Sequence, residues 1–525
     1  MENIKNINNI PAEKFRFATK NDLKHDSKFD TKPVSYFQGA FRRFSKNKGA
    51  VVGGIVIACL VLFSIIGPLF TPFDPSYYDQ VYAYATPKNN LFVDTNFWDG
   101  CREKVNVGQV EFFKDYALGL ETGREVIKNG EYEVTADGQN YSYRYDTYYG
   151  VGFGFYRIIS MEEFEDIQRY QNETGRQVIY PTVNKNDRPT AVQDINNANY
   201  YYKTQKVKGK TRPVTDENGD PIPVYWTYDE TYKSPAIPEY NSLRIEGENG
   251  FTGEDGKQHY YAYGRITDGG VEVRTEYYEY YTYKHSKDGV GEPYFIFGTT
   301  GTGKDVFACL AYGARFSFIF GTVVAAVNFI VGVIWGSIAG YFGGRIDLFM
   351  ERFSEILGSV PTMIVITLLK YHMGSSSHIL VLFITFFLTG WIGMAGTTRM
   401  QFYRFKNQEY VLAARTLGAK DTRIMFKHIF PNGLGTIVTS VALVIPAMIY
   451  SETNLSYLGI INLEAGKITS VGTLISAGQS AIIIPGAGYV ALFPCLFLVL
   501  LMLSFNLFGN GLRDAFNPSL RGAED

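Results

Sequence analysis

Apolar residues are segregated along this chain. Residues 49–70 run GAVVGGIVIACLVLFSIIGPLF without a charge, and residues 316–508 hold further apolar runs. Residues 75–295 between them are polar, charged and hold most of the 39 tyrosines. A bilayer core needs about 20 mostly apolar residues per crossing helix. By that measure residues 49–70, 316–342, 349–369, 379–397, 435–450 and 489–508 predict six transmembrane helices. The third is the least regular, because Glu351, Arg352 and Glu355 crowd its start and Pro361 interrupts it. One apolar run can be a buried core helix, but six in one chain point to a multi-span membrane protein.

The polar block predicts a folded domain that is mainly β. Val271, Val273, Thr275 and Tyr277 alternate with Glu272, Arg274 and Glu276, the period of a half-buried strand. Asp137-Gly138 between strand-like residues 132–135 and 141–145 predicts a type I′ hairpin. Asn218-Gly219 suggests another turn. Ser160 followed by Glu163, then Phe164, Ile167 and Tyr170, predicts a capped helix. The tyrosines fit sheet filling better than a ligand surface, given their strand propensity.

Charge adds direction. The net charge of −2 carries no global signal for nucleic acid, and the mean hydropathy near zero averages two unlike regions. Lys and Arg concentrate in short cytoplasmic flanks. Arg42, Arg43, Lys46 and Lys48 precede the first span, which places the N-terminus inside and residues 75–297 outside. Loop 398–433 then falls inside, and it carries Arg399, Arg404, Lys406, Arg415, Lys420, Arg423 and Lys427. Loop 451–488 falls outside with only Lys467, and Arg513 and Arg521 fall inside. Of the four cysteines, Cys59, Cys309 and Cys495 lie in or beside apolar segments, so Cys101 has no disulfide partner in the polar block. The first 48 residues lack an early apolar stretch, so no cleaved signal sequence is expected.

Some motifs fail on chemistry. Gly298-Thr-Thr-Gly-Thr-Gly303-Lys304-Asp305 nearly spells a P-loop, but Asp305 stands where a hydroxyl should bind Mg²⁺. Asp216-x-Asn218-x-Asp220 starts like a calcium loop, yet Pro221 replaces the required Gly and Thr227 the closing Glu. His372 and His378 read as loop histidines. No metal site or nucleophile–base pair follows from spacing.

One motif holds. Glu409-Tyr-Val-Leu-Ala413-Ala414-Arg-Thr-Leu-Gly418-Ala419-Lys-Asp421, continuing to Lys427-His-Ile-Phe-Pro431-Asn432, resembles the EAA loop of ABC importer permeases. Ala413, Ala414, Gly418 and Pro431 fit its spacing. Leu412 stands at the motif's Glu, and Phe430 at its late Leu. Residues 298–315 resemble the stretch before the second span in C-type peptide-importer permeases (OppC/DppC-like), with Thr300 for the usual Asp and Lys304 for the usual Arg. Gly340–Gly344, Ile449-x-x-Glu452-x-x-Leu455 to Gly459, Asn506–Asp514 with Pro518, and Arg42-Arg43 through Pro75 fit the same family. Val471 stands where that family often has Trp. Residues 75–297 have no counterpart in it.

The resemblance implies an all-α polytopic permease fold with six transmembrane helices and an inserted β-rich (α+β) extracellular domain. The parts are a cytoplasmic segment 1–48, a first span 49–74, the insertion 75–297 and a core 298–525. It further implies half of a heterodimeric pore, made with a B-type permease. Two cytoplasmic ATPases would hold ATP and Mg²⁺ and dock on 409–432, chiefly at Glu409, Ala413, Ala414, Gly418, Ala419, Asp421 and Pro431. An extracellular binding protein would deliver peptide. This chain would be no enzyme, hold no cofactor and contact lipid. Two other readings stay open here: a permease for another solute such as nickel, and an outer binding or receptor module that the spans merely anchor.

Overall fold

The computed structural model describes residues 36–516, apart from 93–94, 137, 152–153, 184–203, 216–218, 220–224, 226, 229–241, 248–249, 254, 374–377, 462 and 464–467. Among the described residues, five helices are long and apolar enough to cross a membrane: Lys48–Leu69, Val306–Phe342, His378–Phe405, Asp421–Tyr457 and Tyr489–Phe516. The expected third span is not one helix. Gly344–Gly358 and Thr362–Met373 meet at a 68° bend, so a sixth crossing exists only if the bent pair is counted as one. Pro361 explains the break: it lacks an N–H, and the residue before it is pushed away from helical geometry.

Glycines set how closely the spans approach. Gly332, Gly336 and Gly340 form one stripe of Val306–Phe342 and lie against Ile392–Phe405. A Cβ on Gly336 would meet the Ala395 carbonyl oxygen at 2.2 Å, and one on Gly340 the Arg399 carbonyl oxygen at 2.7 Å. In lipid, where apolar side chains gain little by leaving their surroundings, such backbone contact is a main source of helix association. The first and last spans pack the same way, with Gly53 against the Ser504 carbonyl and Gly511 against Ala50.

Between the first two spans the described residues build four antiparallel sheets, two larger ones and two two-stranded ones, Thr204–Val207 with Lys210–Pro213 and Phe251–Thr252 with Gln258–His259. Asn140–Asp146 lies between Cys101–Gly108 and Ile127–Val134. Helix Gln109–Thr122 covers this sheet, and Phe112 stacks on Tyr141 with ring centroids 4.0 Å apart. The expected hairpin forms, but not as a two-residue turn. Thr135 N–H bonds the Asn140 carbonyl and Gly138 N–H bonds the Thr135 carbonyl, which leaves a four-residue loop; Asp137 is outside the described residues. In the second larger sheet Gly270–Thr275 pairs with Phe155–Ile159, Gly264–Thr267 and Ile179–Tyr180. Helix Met161–Thr174 packs on it, started by Ser160, whose hydroxyl accepts the Glu163 N–H at 3.1 Å.

The strand expected through Tyr277 ends at Thr275, and helix Tyr277–His285 begins. It is also not half-buried. Arg274 and Glu276 are fully enclosed, because Arg274 donates to Glu121 at 3.1 Å and lies 3.5 Å from Glu276. Buried charge is tolerated there because it is paired. Asp216, Asn218, Asp220, Lys467, Pro518 and Arg521, and with them the calcium-like sequence and the expected Asn218-Gly219 turn, lie outside the described residues.

The P-loop-like segment is a structural joint. Thr299 N–H bonds the Ala85 carbonyl at 2.9 Å, and Tyr84 N–H bonds the Thr300 carbonyl at 3.1 Å. Tyr489, at the start of the last span, donates to the Ala85 and Thr299 carbonyls at 2.8 and 2.9 Å. Asp305 caps Val306–Phe342 by accepting from Phe307 and Ala308 N–H groups, and also from the Thr71 hydroxyl. Burial pushes its carboxyl up to about 6. The insertion is thereby tied directly to three spans.

Candidate functional site

Residues 409–432 fold as helix, turn, helix. Glu409–Thr416 is the first helix, and Gln408 precedes it in extended geometry. Gly418 turns the chain at φ +78°, a region that L side chains rarely adopt. Its N–H closes on the Arg415 carbonyl, while Leu417 and Ala419 N–H groups close on Ala413 and Ala414 carbonyls. Asp421 opens the second arm, which continues through a π-helical stretch, Ile424–Ile429, into the long helix Phe430–Tyr457. Pro431 stands just after this π-helical stretch, within the continuous helix Asp421–Tyr457, where its missing N–H leaves a gap in the backbone ladder.

The unit has a rooted face and a free face. Val411, Ile424, Met425 and Ile429 are buried with Tyr341 and Phe402, and Ala419 packs against this cluster. Tyr341 donates to Asp421 at 2.5 Å, and Asn432 donates to the Tyr410 phenol at 3.2 Å, which brings the two ends of the loop together. Glu409, Ala413 and Gly418 are exposed, Ala414 is half-buried, and Pro431 is exposed. Leu417, at the tip, is 89% exposed. Leu412, where the motif has Glu, is also exposed. Leu412 and Leu417 thus leave apolar surface on a hydrogen-bonded, rooted turn.

Two polar groupings escaped sequence reasoning, one beside this loop and one near the far end of the Phe430–Tyr457 helix. Arg399 donates to both oxygens of Asp347 at 2.6 and 2.7 Å and to Glu351 at 2.9 and 2.8 Å, and Tyr403 donates to Asp347 at 2.5 Å. The charges that seemed to spoil the third span therefore lock Gly344–Gly358 to Ile392–Phe405. Glu452 is wholly buried and accepts from the Ser317 and Ser456 hydroxyls at 3.2 and 2.8 Å. A charge inside an apolar run was the available signal in both cases. Among the described residues no cluster of His, Cys, Asp or Glu could hold a metal ion.

Comparison with known proteins decides the family. Residues 332–522 match the family of binding-protein-dependent transport system inner membrane components, and residues 35–88 match the N-terminal transmembrane domain of oligopeptide transport permease C. The chain is 42% identical over 228 residues to the oligopeptide transport system permease protein OppC of Bacillus subtilis, covering 43% of this chain and 72% of the relative. The chain belongs to this permease family. It is similarly 42% identical over 225 residues to the dipeptide transport system permease protein DppC of the same organism, with 43% and 69% covered. OppC of Haemophilus influenzae is 37% identical over 230 residues, with 44% and 72% covered. The permease is thus an integral membrane component of an ABC importer. Such components are non-catalytic, and ATP hydrolysis belongs to partner subunits. Residues 89–331 lie outside both family matches.

Proposed function

We propose that this permease is the C-type half of a heterodimeric importer of oligopeptides or dipeptides, driven through the 409–432 loop. The relatives' names supply the substrate class. The rooted helix–turn–helix with its exposed Leu417 tip supplies the coupling element. In this reading a B-type permease completes the pore, and two cytoplasmic ATPases hold ATP and Mg²⁺ and receive Glu409, Ala413, Ala414, Gly418, Ala419, Asp421 and Pro431. The termini are cytoplasmic, and the insertion, 75–297, faces the extracellular binding protein. ATPase closure pulls on the loop, and the Tyr341–Asp421 bond passes the motion to the Val306–Phe342 span.

Replacing Gly418 by Leu tests the docking role. A side chain at φ +78° strains the turn, and its bulk meets the partner. The expected result is normal membrane level and B-type pairing, with ATP hydrolysis no longer coupled to uptake. Full uptake by the variant would mean that the ATPases dock elsewhere.

A further inference from the structure

The edge of the insertion nearest the spans carries a half-buried aromatic cluster. Trp98 stacks on Phe297, centroids 6.0 Å apart and planes at 3°, and on Phe493, 5.9 Å apart and at 12°. Phe297 and Phe493 stack on each other at 4.1 Å. Phe493 stands near the start of Tyr489–Phe516, so at the usual rise this stack sits about 6 Å inside the end of a crossing helix. Phe297 continues the row to Phe307 at 5.2 Å, and Phe307 to Phe63 on the first span at 5.6 Å. Trp98 therefore lies at the depth where the first, second and last spans begin or end.

On the far side of Trp98, Phe92 and Phe97 pack at 6.0 and 5.4 Å. Phe97 is 66% exposed and Leu91 is 85% exposed. On the last span, beside Phe493, Leu492, Leu496 and Val499 are bare. That face belongs to the crossing part of the last span, where apolar surface is covered by lipid or by a neighbouring helix. In sequence Asn89, Asn90, Thr95 and Asn96 flank the cluster, together with the charged Lys88, Asp94 and Asp99. An apolar body with a polar surround, led by Trp, is the composition favoured at the membrane–water interface.

We propose that Leu91, Phe92, Phe97 and Trp98 form a lipid-binding edge, by which the insertion rests in the headgroup region of the bilayer beside the Tyr489 end of the last span. The occupant is the lipid surface itself. The edge holds the insertion at a fixed tilt over the ends of the spans.

The test uses the full chain in phosphatidylcholine–phosphatidylglycerol nanodiscs and reads tryptophan fluorescence. The tryptophans are 98, 226, 335 and 391, so the difference between wild type and Trp98→Phe isolates Trp98. Lipid brominated near the headgroup should quench that difference signal by roughly half, and lipid brominated near the chain ends should quench it less. The double variant Trp98→Phe/Phe97→Trp moves the probe to the exposed neighbour and keeps an aromatic ring in the stack. Its added signal should respond to headgroup-brominated lipid more than to aqueous iodide. Stronger quenching by iodide overturns the proposal in favour of a water-exposed edge. Indifference to both quenchers overturns it in favour of an edge covered by protein.

Discussion

The Tyr341 phenol donates a 2.5 Å hydrogen bond to the Asp421 carboxylate, joining the end of a crossing helix to the arm that follows Gly418. Eighty residues separate the two in sequence. Beneath the bond, Val411, Ile424 and Met425 pack on the Tyr341 ring and Phe402. The loop therefore moves with the Val306–Phe342 helix rather than hanging from it.

Tyr341→Phe removes the hydroxyl and leaves the ring. Asp421 is exposed, so its carboxylate regains water and the loss of stability should be about 1 kcal/mol. Coupling of ATP hydrolysis to uptake should fall more than stability does. A double-mutant cycle with Asp421→Asn measures the bond itself; additive effects would show that it carries nothing.

Arg399→Ala should be more damaging. It strips the buried Asp347 of its bidentate partner, a change that costs about 3–5 kcal/mol when a buried pair is broken from one side. Arg399→Lys should recover only part of this, because an ammonium cannot span Asp347 and Glu351 at once. Thermal unfolding of the purified chain, with loss of the Gly344–Gly358 contact read by cross-linking to Ile392–Phe405, distinguishes the three proteins.

Gly336→Ala places a methyl group against the Ala395 carbonyl and should force the two helices apart, at about 1–3 kcal/mol. Gly396→Ala is the control. It lies on the facing helix, has nothing within 4 Å of its new methyl group, and should be neutral or slightly stabilising. Equal melting temperatures for the two variants would rule out backbone contact as the basis of this packing.

Asp305 gives a pH dependence with a definite sign. Burial raises its carboxyl from the ordinary 3.8 to about 6, so the folded chain binds this proton more tightly than the unfolded chain. Its contribution is fully present below 3.8 and is lost as pH rises through about 6. Asp305→Asn keeps an acceptor for the helix N–H groups and cannot titrate. Melting temperatures above and below the midpoint should therefore diverge less for the variant than for wild type.

Legibility in the sequence followed the range of each interaction. The helix after Ser160 is a local device, and it formed where its cap and apolar spacing placed it. The Gly332, Gly336, Gly340 stripe was equally local but passed unread, because glycine in an apolar run looks like mere tolerance until its neighbour is known. At Pro361 length and composition suggest one crossing, and backbone geometry bends it into two helices that make a crossing only when counted together.

Membrane setting was legible from the number and length of the apolar runs, and the permease family from the resemblance carried by residues such as Ala413, Ala414, Gly418 and Pro431. Tertiary structure alone decided how the parts meet. Arg274 looked like the wet side of a strand until Glu121, 153 residues away, was found enclosing its charge. Trp98 was one residue of a polar block until it was found stacked on Phe493. Desolvated ion pairs and ring stacks are strong only at contact distance, and the fold sets that distance between residues whose local sequence carries no trace of each other.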